Sequence, residues 1–524
     1  MPNVDPIADS AAAEKSPARA KIRSVEELGL IVARLRAAGE TVVLCHGVFD
    51  LLHLGHVKHL EAARREGTVL VVTVTADPFV NKGPGRPVFS EAIRAEMLAN
   101  LEYVDWVAVN RSATAVEALL TVRPDVYVKG SDYADAGADV TGKILDERNA
   151  VEEGGGRLVF TDEITFSSST LINRYFDVYD PPLNAYLTKL RDRDVLGDIM
   201  KLIDGLKDLK VLFVGETIID EYQYVVPLGK SPKENMIATL YQDREVFAGG
   251  VIAAANHAAS FCKEVEVVTC LGTVDSHEDL VRASLKPNVR LTEFRRQGKP
   301  TVCKTRFIES GYLRKLFEVY HMDDTPLDGW EARTLQRLIE GSGRSYDVVV
   351  VTDFGHGLIG PDIVDTLVKN AGFLAVNAQS NSGNLGFNLI TKYPHADYVC
   401  IDTPEARLAT SDRHGDVGEI AGTKLPGMLT CDHVIVTHGR NGCVTYGRGE
   451  GVSLIPAFTK TVVDTVGAGD AFFAITAPLV ASGAPMEYAG FIGNAVGAVK
   501  VGIVGHRQSV EKVPLIKYIT TLLK

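Results

Sequence analysis

Two short stretches hold residue types and spacings that phosphate chemistry uses. The first, HGVFDLLHLGHVKHL (46–60), puts four histidines and one aspartate into fifteen positions. His53 and His56 are three residues apart around Gly55, where a helix begins to read. A helix start offers backbone N–H groups without intrahelical partners and a partial positive charge. Gly55 permits close backbone approach. Two imidazoles there would hydrogen-bond phosphate oxygens and stabilise charge developing on phosphorus and pyrophosphate. The competing readings are a zinc pair and chance surface histidines, and the spacing suggests no third zinc ligand. The second stretch, DTVGAGDAF (464–472), sets Gly467, Ala468 and Gly469 before Asp470 at the head of an apolar helix. Small residues leave N–H groups free to cradle an anion. Asp470 beside them is placed to take a proton from an attacking hydroxyl. Gly-x-Gly-Asp by itself reads equally as a helix cap.

These groups need elements to hold them. Apolar positions from Val25 to Ala38 recur at helical spacing and Gly39 stops the run. TVVLCHG (41–47) reads as a buried strand, 56–67 as a helix, and 68–77 as a strand of the continuous apolar kind found in parallel sheets. A helix at 92–105 and strands in DWVAV, DVYVKG and RLVFTD continue the alternation. The pattern predicts a small doubly wound α/β domain, in which ligands sit at the carboxyl ends of strands. A helical connector is expected over 176–207. From KVLFVGETIIDEY (210–222) onward, apolar strands and helices alternate again and predict a larger α/β domain over 208–524. Residues 1–22, rich in Ala, Pro and charge, read as a disordered tail without the apolar core of a signal peptide.

A net charge of -12 argues against general nucleic-acid binding. The seven scattered cysteines form no Cys-x-x-Cys pair, which suits reduced thiols in a cytoplasmic enzyme. No apolar run reaches the roughly 18 residues of a membrane span.

HGVFDLLHLGH resembles the signature of the cytidylyltransferase-like nucleotidyltransferase superfamily. NKGPGRPVFSEAIRAEMLANLEYVDWV (81–107), PDVYVKGSDY (124–133) and FSSSTLINR (166–174) resemble the adenylyltransferase domain of bifunctional heptose-phosphate kinase/adenylyltransferases. The resemblance covers about 35–175 and gives a nucleotidyltransferase domain over 23–175. It implies nucleotide contacts from Gly47, Phe49, Gly55, His53 and His56. It further implies phosphate contacts from Lys82 and Lys129, with Ser168, Ser169 and Thr170 near the triphosphate. For Lys129 the alternative is a solvated strand end. Arg94 reads either as a phosphate ligand or as a helix-surface charge, and Asp50 as the residue that orients the turn.

DTVGAGDAF resembles the signature of ribokinase-like sugar kinases, and the motifs run in family order through the second domain. The resemblance implies that Asp220 contacts sugar hydroxyls. Gly249, Gly250 and Asn256 would line the acceptor segment, and Gly439 and Gly442 would approach the nucleotide. Asp402 and Glu405 would stand near Mg²⁺. Lys304 and Arg306 are candidate cations for the acceptor, as are Lys230 and Lys233. Departures are Ala253 and Asp402 where the family has Asn, and Asn377–Gln379 where the heptose kinase has Asp-Pro-Lys. They predict an acceptor other than heptose 7-phosphate, with sugars that carry no phosphate, heptoses included, among the candidates.

The expected function is bifunctional. One domain phosphorylates a sugar with ATP. The other transfers AMP or CMP from ATP or CTP to a sugar phosphate, releasing pyrophosphate, with Mg²⁺ as cofactor. The domain order is the reverse of the heptose enzyme. The alternative is a single-activity nucleotidyltransferase whose kinase-like domain serves binding or dimerisation. Expected partners are small-molecule sugars and a second copy of the chain, with no nucleic acid and no membrane.

Overall fold

The computed structural model describes residues 17–80, 86–112, 114–130, 143–161, 179–342, 345–459 and 461–524. The chain divides into two compact units, one ending at Tyr179 and the other running Asp180–Leu523.

The first unit runs β1 (Ile22–Arg23), α1 (Val25–Ala37), β2 (Val42–Gly47), α2 (Leu54–Arg64), β3 (Val69–Thr75) and α3 (Glu91–Ala99). It continues with β4 (Trp106–Asn110), α4 (Val116–Val122), β5 (Val126–Gly130), α5 (Lys143–Glu153) and β6 (Arg157–Thr161). Among the described residues its sheet has the order β1-β4-β3-β2-β5-β6, and every pairing is parallel. From β2 the chain builds outward through β3 and β4, then crosses to β5 and β6 on the other side. The carboxyl ends of β2 and β5 therefore flank the crevice where such sheets bind ligands. All seven residues of β3 are buried, as a central parallel strand requires. Helix α1 begins in a capping box, with Ser24 Oγ accepting from Glu27 N–H and Glu27 accepting from Ser24 N–H.

Two expectations need correction here. Helix α2 starts at Leu54 rather than His56, so His53 is its N-cap and Gly55 and His56 lie in its first turn. Residues 17–22 are not a loose tail. Ala18 is buried in the core and Ile22–Arg23 pair with Val107–Ala108 as an edge strand. Lys21 also donates to Val104 O at 2.7 Å.

The second unit opens with α6 (Pro181–Asp192) and α7 (Leu196–Gly205). The expected connector thus carries helices that pack within this unit. Arg191 donates to Leu522 O at 2.6 Å and Lys512 pairs with Asp204 at 3.0 Å. Then follow β7 (Lys210–Gly215), β8 (Thr217–Lys230), β9 (Ile237–Gly250), α8 (Val251–Ala259), β10 (Glu264–Val274), α9 (Glu278–Ser284) and β11 (Val289–Pro300). Next come β12 (Val302–Glu309), β13 (Arg314–His321), α10 (Gly329–Ser342), β14 (Val348–Asp353), α11 (Pro361–Asn370), β15 (Leu374–Ala378), β16 (Tyr398–Asp402) and α12 (Thr403–Thr410). Helical turns over 417–428 lead to β17 (His433–Thr437), β18 (Cys443–Gly447), β19 (Gly451–Ile455), α13 (Ala468–Ala481), α14 (Met486–Lys500) and α15 (Lys512–Leu523).

The large sheet has the order β11-β10-β7-β14-β15-β16-β17-β18-β19, parallel as far as β17 and antiparallel beyond. A smaller sheet, β13-β12-β8-β9, carries a long hairpin in which Thr217 pairs with Gly250. In this small sheet Lys304 lies directly opposite Asp220. Side chains two apart on a strand share a face, so Lys304, Arg306 and Asp220 point the same way.

Candidate active sites

In the first unit, β2 delivers the chain to the crevice. His46 is anchored on its neighbour, with Nδ1 2.9 Å from Thr73 Oγ1 and Nε2 3.3 Å from Thr75 Oγ1. Phe49 has φ 50°, a left-handed turn that folds its ring back over the strand end. A Cβ on Gly47 would lie 3.0 Å from that ring, so glycine leaves the space Phe49 fills. The rings of His53 and His56 stack with centroids 4.0 Å apart, and Phe49 meets His56 edge-on at 5.3 Å. The early start of α2 gives the pair its setting. The amides of Leu54 and Gly55 have no i−4 carbonyl within the helix, and both imidazoles stand at that end.

Asp50 behaves as expected of a turn-orienting residue. It is buried, pairs with Arg86 at 3.1 Å and accepts from Val88 N–H at 2.6 Å. Arg94 fits neither of its two readings. It is fully buried, and all three guanidinium nitrogens donate to the protein: Nε to Phe89 O, Nη1 to Val48 O, and Nη2 to Thr75 O and Asp77. It is a clamp beneath the site. Lys129 is likewise no solvated strand end. Its ammonium pairs with buried Glu147 at 2.9 Å, which also accepts from Tyr127 OH at 2.9 Å. A phosphate contact from Lys129 would compete with that pair. Close by, burial and the Lys129 charge push His59 down to about 4. Lys82, Ser168, Ser169 and Thr170 lie outside the described residues.

In the second unit, a cavity of about 160 Å³ is lined by Asp220, Gly250, Lys304, Arg306, Gln379, Gly467, Asp470 and His506, among others. Asp470 stands in the first turn of α13, whose N-cap Gly467 has φ 71°. Burial raises its carboxyl above the usual range. The His506 charge and a 2.8 Å hydrogen bond from Gln379 act against the rise, and the Asp220 charge adds to it. For Asp220, burial also acts upward. The hydrogen bond from His506 and the charge of Arg306 overcome it and hold the carboxyl well below the ordinary range. Arg306 pairs with Asp220 and, at 3.3 Å, with Glu318. Lys304 is buried, with its ammonium 5.0 Å from the centre of the Tyr320 ring, and burial lowers its pKa. Among the described residues it has no ion pair.

Other expected residues do different work. Asn256 is not in the cavity lining; its amide bonds the loop after α9, to Ser284 O at 2.8 Å and from Lys286 N–H at 3.0 Å. Lys230 and Lys233 are exposed near the far end of the β8–β9 hairpin. Ten or more residues of extended chain from Asp220 is roughly 30 Å, too far to reach its cavity. Asp402 and Glu405 do come together, as a reciprocal capping box at the head of α12. Glu405 also accepts from Ser380 N–H at 3.1 Å, and burial with the Asp402 charge pushes it up to about 8. A Cβ on Gly442 would lie 1.9 Å from Ile455 O, so that glycine is required by the close approach of β19. Gly439 has φ 51° and open space beside it.

Sequence reasoning missed His506, Glu216 and Lys500. Glu216 accepts from Phe354 and His356 N–H, both at 3.0 Å, and burial with the Asp353 charge pushes it up to about 7. Lys500 is buried and donates to Val466 O and Gly505 O, both at 2.8 Å. No spacing rule points to these three, since each meets its partners only through the fold. A larger cavity, about 320 Å³, lies between Arg23–Glu26 and Val109–Arg111 and holds none of the expected site residues. Among the described residues, no cluster of three or more His, Cys, Asp or Glu side chains is spaced to hold a metal, and no helix is long and apolar enough to cross a membrane.

Residues 44–174 match the cytidylyltransferase-like family, and residues 366–513 match the pfkB family of carbohydrate kinases. The bifunctional protein HldE of Syntrophotalea carbinolica is 40% identical over 181 residues, 34% of this chain and 36% of that protein. HldE of Streptomyces coelicolor is 45% identical over 157 residues, 30% of this chain and 32% of its own. The matched region lies in the N-terminal part, so the chain spans about a third of the length of these relatives. A ribokinase structure from Thermotoga maritima is 19% identical, with 60% of this chain and 99% of that chain covered at a TM-score of 0.47. The chain carries a cytidylyltransferase-like domain followed by a pfkB-type carbohydrate kinase domain.

Proposed function

We propose that the protein is a bifunctional enzyme of nucleotide-sugar synthesis. The kinase half transfers the γ-phosphoryl group of ATP to a sugar hydroxyl. The other half transfers a nucleotidyl group from ATP or CTP to a sugar phosphate and releases pyrophosphate. The carrying observation is the single cavity that holds Asp470, Asp220 and the Gly467 N-cap together. It supplies a base, a hydroxyl-binding carboxylate and a helix start for the phosphates.

In the kinase half, Asp220 accepts hydrogen bonds from acceptor hydroxyls. Asp470 takes the proton of the attacking hydroxyl, and its raised pKa suits that task better than an ordinary carboxylate would. The oxygen attacks the γ-phosphorus and ADP leaves. The amides at the start of α13 meet the phosphate charge. Mg²⁺ is typically bound through one or two carboxylates together with substrate phosphates, and the Asp402 and Glu405 carboxylates, both raised by burial, fit that share. When bound, it would neutralise phosphate charge.

The acceptor is proposed to be a sugar without a phosphate. A buried dianion needs matching cations. Arg306 is already paired with Asp220 and Glu318, which leaves Lys304 as the unpaired cation among the described lining residues. In the nucleotidyltransferase half, a sugar-phosphate oxygen attacks the α-phosphorus and the bond to pyrophosphate breaks. That oxygen is already anionic, so His53 and His56 act by stabilising charge, with no base required.

A cytoplasmic homodimer is the proposed form. Leu228, Ile237, Leu240, Phe317 and Val319 of the small sheet are all exposed, apolar surface suited to a second copy. The function is tested by ADP release from ATP with a panel of free and phosphorylated sugars, and by pyrophosphate release from ATP or CTP with the corresponding sugar 1-phosphates. Absence of either product across the panel would reject the corresponding half.

A further inference from the structure

Residues 505–510 carry no motif, yet the fold tethers them on both sides. Gly505 donates its N–H to Asp464 Oδ2 at 2.8 Å, and its carbonyl accepts from Lys500 at 2.8 Å. Arg507 forks onto Glu245 through contacts of 2.9 and 2.6 Å. Val510 N–H donates to His257 Nδ1 at 2.9 Å. Gly505 has φ 47°, and a Cβ there would lie 2.7 Å from the Phe247 ring. The side chain presented between these tethers is His506.

His506 forms part of the kinase cavity wall with only 6% of its side chain exposed, and its Nε2 lies 3.1 Å from Asp220 Oδ2. An ionised carboxylate only accepts, so Nε2 carries the hydrogen and donates. Nδ1 is buried with no hydrogen-bond partner among the described residues, so the ring's polar chemistry is directed at Asp220. Arg306 takes the other oxygen, Oδ1. The neighbouring glycines fit around this pair. A Cβ on Gly249 would fall 2.0 Å from Asp220 Oδ2 and 3.2 Å from His506 Nε2. A Cβ on Gly467 would fall 2.6 Å from His506 Cε1. Two glycines expected to meet substrates therefore also make room for one histidine. One lies in the acceptor segment and the other caps the helix of Asp470.

We propose that His506 is a positioning residue of the kinase acceptor site, holding the Asp220 carboxylate in the orientation that receives acceptor hydroxyls. The inference rests on the kinase reading above. Without His506, the carboxylate is free to rotate onto the Arg306 guanidinium as a two-oxygen fork, the geometry such pairs favour. Its oxygens would then turn from the acceptor. Asp470 and the start of α13 stay in place, so the effect falls on acceptor KM more than on kcat.

The test uses the full chain and the sugar that the wild type turns over fastest from a panel of free and phosphorylated hexoses and heptoses. His506→Ala is expected to raise acceptor KM about tenfold, the size of one lost hydrogen bond to a charged group, while KM for ATP stays near wild type. His506→Gln returns an N–H donor close to the place of Nε2 and should recover most of the loss. A KM for ATP and a melting temperature of the second unit near wild type report that the kinase unit is folded. An unchanged acceptor KM in His506→Ala overturns the proposal. So does an equal loss of ATP and acceptor affinity, or a His506→Gln variant no better than alanine, because each describes a merely structural side chain. A wild-type chain that phosphorylates no sugar rejects the kinase reading itself, and the inference with it.

Discussion

The two sites are assembled in opposite ways. In the first unit, Gly47, Phe49, His53, Gly55 and His56 come from ten consecutive residues at a strand–helix junction. In the second, Asp220, Lys304, Gln379, Asp470 and His506 are drawn from strands, loops and a helix spread over nearly 290 residues. The contiguous site takes its geometry from one turn and the helix it starts. The dispersed site depends on tethers that bring distant loops together, such as Lys500 bonding both Val466 O and Gly505 O. A local site therefore fails mainly through loss of its own side chains. A dispersed one also fails through residues that never touch substrate.

The largest effect that sharpens this contrast is expected from Asp470→Asn. Loss of the base should lower sugar phosphorylation about 10²- to 10⁴-fold and leave pyrophosphate release by the other unit unchanged, as paired ADP and pyrophosphate assays would register. Next in size, His53→Ala and His56→Ala should each lower nucleotidyl transfer on the order of 10²-fold or more, with kinase activity retained. Wild-type pyrophosphate release in both variants would break the phosphate-grip reading. Third, Arg94→Met removes the buried clamp and strands the carbonyls of Val48, Thr75 and Phe89. The expected cost is about 3 kcal/mol of stability in the first unit, read by denaturant unfolding followed at Trp106.

The smallest effect concerns pH. Glu216 is raised in the folded state from 4.5 to about 7. Between those values the folded chain binds more protons than the unfolded one, so this group's contribution to stability falls as pH rises through that window. Glu216→Gln should flatten the decline in melting temperature of the second unit, by about 3 °C across the window. Asp220 works with the opposite sign: its depressed pKa stabilises the fold above the ordinary carboxylate range, and that contribution is lost on acidification.

The same contrast decides what could be read from the sequence. Strand β2, helix α2 and the stacked histidines were legible because strand, turn and helix start are adjacent in the chain. The head of α13 was legible for the same reason. Only its own residues could be read there, and Gln379, marked as a lost lysine, instead became a hydrogen-bond donor to Asp470. Arg94 shows the limit on a single helix: its charge suggested surface or phosphate, whereas three backbone carbonyls from separate segments surround it. Asn256 shows it for a motif, since nothing near it in sequence reveals the 284–286 loop that occupies its amide. Asp402 and Glu405 were marked for Mg²⁺ by their spacing, and the same spacing serves the capping box in which the structure joins them.

Each group of described site residues lies wholly on one side of the division at Tyr179 and Asp180. The sequence of the two halves along the gene is then a matter of ancestry rather than of chemistry. A recombination breakpoint at such a boundary would exchange whole modules without disturbing either group of residues.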